Sequence, residues 1–140
     1  MKKTMILLLL TLVLTPAMGM ANAGDSTNGH GTFSTGSTVA FVFDAKETSG
    51  GVTGRARFFD NGALSLDIVV DCLIVSGSTA IVGGTEAGGS TTYAFRVTDN
   101  GGGSPADRIT LPQTNQTCAT FNALTSFALT SGDIVVNDQP

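Results

Sequence analysis

The stretch from Thr38 to Thr98 leaves little room for a helix. Short runs of β-branched and aromatic residues, "TVAFVF", "VTGRARFF", "ALSLDIVV", "TAIVGGT" and "TTYAFRV", are cut by clusters of Gly, Asn, Asp and Ser. A side chain branched at Cβ packs well on a pleated strand and loses χ1 freedom in a helix. No window carries the 3.6-residue apolar period of an amphipathic helix, and turn residues recur about every ten positions. The pattern predicts an all-β fold: a small antiparallel β-barrel or two-sheet sandwich of about eight strands. The expected strands are 38–46, 52–59, 63–75, 78–85, 91–98, 108–111, 126–129 and 134–137.

The pattern also predicts local pairings. Asp60-Asn61-Gly62 separates two strands, and a three-residue loop ending at Gly62 sets Phe59 against Ala63, Phe58 against Leu64, Ala56 against Leu66 and Arg55 against Asp67. Leu64, Leu66, Ile68, Val70, Cys72 and Ile74 then share one face. Val69, Leu73 and Val75 interrupt the other, so the second half of this strand is expected to be covered on both sides. Val39, Phe41 and Phe43 share a face, as do Tyr93, Phe95 and Val97, and Ile134 with Val136. These residues are the predicted core.

The chain opens on "MKKTMILLLLTLVLTPAMGMANA". Two lysines, an apolar run from Met5 to Leu14 and a small-x-small site at Ala21–Ala23 read as a secretory signal peptide over 1–23. The apolar run is too short to span a bilayer, which takes about 20 residues. Cleavage near Ala23 leaves 117 of the 140 residues, enough for one domain with its own core. The expected division is a signal peptide over 1–23, a flexible leader over 24–36 and a single all-β domain over 37–140. The leader follows from the small, polar "GDSTNGHG".

Without Lys2 and Lys3 the chain has 11 acidic and 5 basic side chains, a net charge of −6. So acidic a chain has no footprint for nucleic acid or anionic membranes. The expected location is outside the cytoplasm, extracellular or periplasmic, with no integral membrane segment in the mature chain.

Few residues can carry chemistry. Cys72 and Cys118 are the only cysteines, and in an exported chain they are expected to form a disulfide. It would close a 46-residue loop and pin the Pro112–Leu124 connection. His30, the only histidine, lies in the polar leader and reads as a solvated residue; a catalytic triad needs a histidine held by packing. Asp67 and Asp71 on one strand face would stand ~13 Å apart at ~3.3 Å per residue. A glycosidase pair needs roughly 5–10 Å. No enzyme is expected, and no catalytic residue is assigned.

One loop leaves two readings open. "VTDNGGGSPADRI", residues 97–109, offers Asp99, Asn100, Ser104 and Asp107 as oxygen donors, with three glycines to turn carbonyls inward. Calcium takes six to eight such oxygens. Asp-Asn-Gly and Pro105 are also ordinary turn residues. The loop is therefore either a weak calcium site or a structural turn; no other cofactor is expected.

Several segments carry a resemblance. "GHGTF", "FVFDAK", "GGVTGRARFFD", "IVSGSTAIVGGT", "YAFRVTDNGGGSPADRITL" and "SGDIVVND" occur in an order similar to the post-COAP-1 domain of secreted bacterial proteins, a domain of unknown function. The resemblance spans about residues 29–138. It implies a small antiparallel β-domain on an exported protein, and it brings no catalytic residue or ligand. The expected function is a secreted, non-catalytic structural or interaction module at the cell surface or in the extracellular matrix, with a protein or glycan as partner. The alternative is a β-barrel holding a small apolar ligand; a secreted enzyme or enzyme inhibitor comes third.

Overall fold

A computed structural model describes residues 24–123 and 125–139; the signal peptide read over 1–23 lies outside them. The described residues form ten strands and no helix: β1 (Ser26–Ser34), β2 (Thr38–Thr48), β3 (Gly51–Asp60), β4 (Ala63–Ser76), β5 (Thr79–Glu86), β6 (Thr92–Thr98), β7 (Arg108–Thr110), β8 (Gln113–Thr114), β9 (Ser126–Ala128) and β10 (Ser131–Asn137). They pair antiparallel in the order β10-β1-β2-β3-β4-β5-β6-β7-β9, with β8 also on β6. The all-β, antiparallel expectation holds.

The sheet is curled, and two ring contacts demonstrate it. β2 and β6 are four strands apart in the order, which would be roughly 19 Å on a flat sheet. Yet Phe43 of β2 meets Phe95 of β6 edge-on, with ring centroids 5.4 Å apart. Phe58 of β3 meets the same ring at 5.2 Å. Alternation supplies the lining: Val39, Phe41, Phe43 and Ala45 of β2 are buried, while Val42, Asp44 and Lys46 face out. One continuous core results, from Phe33 to Ile134. Burying each phenylalanine contributes about 1.5–3 kcal/mol.

Three expectations need correction. The first is the flexible leader over 24–36. This segment is instead the interior strand β1, paired with β10 on one side and β2 on the other. Gly29 is the physical reason. A Cβ there would stand 2.8 Å from the Phe43 ring and 2.9 Å from Ile134. Smallness here marks close packing rather than freedom. The folded domain thus begins near Asp25, itself buried, whose carboxylate accepts the Gln139 N–H at 2.8 Å.

The second is the β3–β4 register. Asp60 pairs with Ala63, leaving a two-residue Asn61-Gly62 turn with φ of 48° and 83°. Asn-Gly suits such a turn because both central residues take positive φ. Ser65 then bulges: Phe59 faces Leu64, but Phe58 faces Leu66. The Ser65 hydroxyl donates to the Phe58 carbonyl at 3.0 Å. The extra residue restores the alternation that the shorter turn would have broken. Arg57, not Arg55, ends up opposite Asp67.

The third is the face of β4. A second bulge at Asp71, between the Val70–Gly84 and Cys72–Gly83 pairs, changes which residues point in. Ile68 and Val70 are buried before it and Leu73 after it, while Ile74 is exposed. Leu73 and Val75, which interrupted the alternation, therefore take over the inward face, while Val69 before the bulge stays outside.

The two ends of the sheet meet through β9 and β10. Leu129 and Thr130 separate them, so the chain leaves β7 and joins β1 within two residues. The corner is tied by the Leu129 N–H to the Asp107 carbonyl at 2.9 Å and the Thr130 N–H to the Thr32 carbonyl at 2.8 Å.

Candidate functional site

The loop between β6 and β7 has a definite task. Asp107 is 5% exposed. One of its carboxylate oxygens accepts the Asn100 N–H at 2.8 Å, and the other accepts the Ile134 N–H at 2.8 Å. Asp99 works alike: one oxygen accepts the Gly101 N–H at 2.8 Å and the other the Val136 N–H at 3.1 Å. Ile134 and Val136 lie on the β10 edge that no strand pairs. All four oxygens of the two aspartates thus bond backbone N–H groups, and two of those groups belong to β10. Asn100 turns its amide to the Ala106 carbonyl at 2.8 Å. Ser104 is exposed, at a cis bond to Pro105. Among the described residues no three His, Cys, Asp or Glu side chains group around a common metal position.

The expected disulfide is present between Cys72 and Cys118, with Cα atoms 6.1 Å apart. It holds the 115–121 turn region against β4 and β5. Gly83 makes room for it: a Cβ there would lie 2.6 Å from the Cys72 sulfur. Arg96 lies over the Phe121 ring, 6.0 Å from its centroid. His30 is exposed as expected, although it sits on β1 rather than in a leader.

The interior is filled by its own side chains, Phe33, Phe95, Ile68 and Ile109 among the fully buried ones. The surface carries depressions open to solvent. One of about 510 Å³ lies between Leu111 and Phe127 at the β9 side.

The outer face of β2, β3 and β4 is the region with unassigned chemistry. Register places two rows there: Val42, Arg57 and Asp67, then Asp44, Arg55 and Val69. Val42 is 48% exposed, Val69 47%, and Leu64 nearby 55%. A depression of about 250 Å³ opens between Val42, Asp44, Arg55 and Arg57. Arg55 donates through two nitrogens to the two oxygens of Asp67, each at 2.7 Å. Arg57 approaches Asp67 at 3.6 Å. Hydrogen bonding from Arg55 holds the Asp67 carboxyl below the usual carboxylate range, against partial desolvation that pushes it up. The same contact raises Arg55. With Lys46 also on this face, three of the five basic side chains of an acidic domain stand together.

Sequence reading singled out Arg55 and Asp67 as a pair but not the face. The signal was present in the outward residues of three strands, and it becomes readable only once the Ser65 bulge in β4 is known. No protein-family model, curated protein or solved structure matches the chain.

Proposed function

We propose that the domain is a non-catalytic interaction module that docks through the outer face of β2, β3 and β4. Its setting is the surface or surrounding matrix of a bacterial cell, as the signal peptide and the resemblance to post-COAP-1 domains imply. One observation carries the reading. The buried carboxylates are engaged by backbone N–H groups, whereas Val42, Leu64 and Val69 stand exposed around Arg55 and Arg57. The buried core of a contact surface is more apolar than its rim and is enriched in arginine. The partner that suits it is acidic, protein or glycan.

The test is titration of fluorescently labelled domain onto washed cells of the producing strain. Saturable binding is expected, weakened at least tenfold by the double substitution Val42→Glu and Val69→Glu. Both sites are exposed, so stability should change by only about 0.5 kcal/mol per site. Unsaturable uptake, or binding that the double substitution leaves intact, would sink the proposal.

A further inference from the structure

Four outward residues of β2 and β3 stand in a square. Val42 is directly opposite Arg57, and Asp44 is opposite Arg55. Cross-strand neighbours lie about 5 Å apart, and residues two apart along a strand about 6.6 Å. Opposite charges so placed would ordinarily pair. Asp44 and Arg55 do not. Arg55 turns to β4 and gives two nitrogens to Asp67, each at 2.7 Å. Arg57 leans the same way, but it comes no nearer to Asp67 than 3.6 Å, through Nε. Its two terminal nitrogens make no hydrogen bond among the described residues, and the Asp44 carboxylate has neither a hydrogen bond nor an ion pair there. The depression of about 250 Å³ opens in this square. It therefore offers a guanidinium fork, a carboxylate and the exposed side chain of Val42.

We propose that the depression takes one ring of a uronic-acid polymer. The inference rests on the outer-face reading and narrows its acidic partner to a glycan that bears carboxylates. A hexuronate ring carries its carboxylate on one side and hydroxyls on the other. Arg57 would hold the carboxylate with two parallel bonds. Asp44, an acceptor only, would take the hydroxyl protons. Val42 would meet the ring C–H groups. Charge selects this class. Lys46, Arg55 and Arg57 set three positive charges against the two negative ones of Asp44 and Asp67, a surplus of one. That surplus matches one carboxylate per ring. An acidic peptide brings carboxylates without the hydroxyls, and it sets like charge against Asp44. A neutral sugar leaves Arg57 without a counterion. Size agrees as well. Ligand sites run from roughly 300 Å³ upward, so a depression of this volume admits a single ring.

The experiment is a chemical-shift titration of the purified protein with a galacturonate tetramer, its methyl-esterified form and tetraglutamate. The tetramer should bind with a Kd of roughly 1 mM or below and shift the amides of Val42, Asp44 and Arg57. The ester and tetraglutamate should each bind at least tenfold more weakly, and Arg57→Gln should weaken the tetramer as much. Asp44→Ala separates the two roles that a carboxylate can play here. If Asp44 only repels anions, its loss strengthens the tetramer and tetraglutamate alike. As a hydroxyl acceptor, its loss should weaken the tetramer and strengthen tetraglutamate. Both substituted sites are exposed, so melting temperatures should stay unchanged. Tetraglutamate binding as tightly as the tetramer, or a tetramer that gains from Asp44→Ala, overturns the inference. So does the absence of shifts at these three amides in the unaltered protein. The outer-face reading survives each of those results if binding to cells still depends on Val42 and Val69, and falls with the inference if it does not.

Discussion

The seam between β10 and the β6–β7 loop and the seam between β3 and the second half of β4 both lack a backbone ladder. They are handled differently. At the first, Asp99 and Asp107 reach into the gap and accept the N–H groups of Val136 and Ile134. At the second a single carboxylate, that of Asp138, accepts one N–H at the very end of the edge, that of Gly77 at 2.8 Å, and the Cys72–Cys118 bridge anchors the outer face of the same strand. A carboxylate can stand in for a neighbouring strand because it offers two acceptors at about the reach of a carbonyl, and a bond to a charged acceptor contributes about 1.5–3 kcal/mol. The comparison teaches that a sheet can be closed by side chains where strands cannot meet, and that an unclosed edge needs support from elsewhere.

Removing the bridge should have the largest effect. Replacing both Cys72 and Cys118 by alanine releases a 46-residue loop and should lower stability by about 4 kcal/mol in denaturant titration. Proteolysis should then begin in the 115–121 region. A loss below about 1 kcal/mol would mean that packing alone supports this side. Next comes Asp107→Ala, which orphans the buried Ile134 N–H and the Asn100 N–H; a loss of about 2–4 kcal/mol is expected. Asp99→Ala should cost only about 1 kcal/mol, since its bond to half-buried Val136 is longer. Equal losses at 99 and 107 would show that the seam is not graded by burial. Amide exchange at Ile134 and Val136 reports each effect separately.

The smallest effect belongs to the outer face. The folded Asp67 carboxyl titrates below its unfolded value. Its contribution is therefore present above the ordinary carboxylate range and is lost as pH falls through the lower folded value. The pair is exposed and screened, so Asp67→Asn should shift the melting temperature slightly at neutral pH and low salt. That difference should vanish in strong acid or molar salt. A difference that grew on acidification would reverse the assigned sign.

Much of this fold was legible in the sequence. Eight expected strands correspond to observed ones within a few residues, and the disulfide followed from two cysteines in a chain whose opening residues read as a signal for export. Two kinds of feature were not. Bulges at Ser65 and Asp71 add one residue without any composition that marks them, so a correct strand carried a wrong register. β1 looked like a leader because its inward position 29 is glycine, and the bulk that makes it a core strand belongs to Phe43 and Ile134 on its neighbours. The 97–109 loop failed to resolve for a similar reason. Asp107 and its partner Ile134 are 27 residues apart, and nothing local to the loop announces the strand it will hold.

The two-residue corner at Leu129–Thr130 has a consequence in time. β1 leaves the ribosome first among the strands, and its second neighbour arrives more than 100 residues later, since Ser26 pairs with Asn137. Throughout synthesis β1 waits as a bare edge on the β2 hairpin. Ladders this distant in sequence form slowly. The last strand to be made is the one that completes the first.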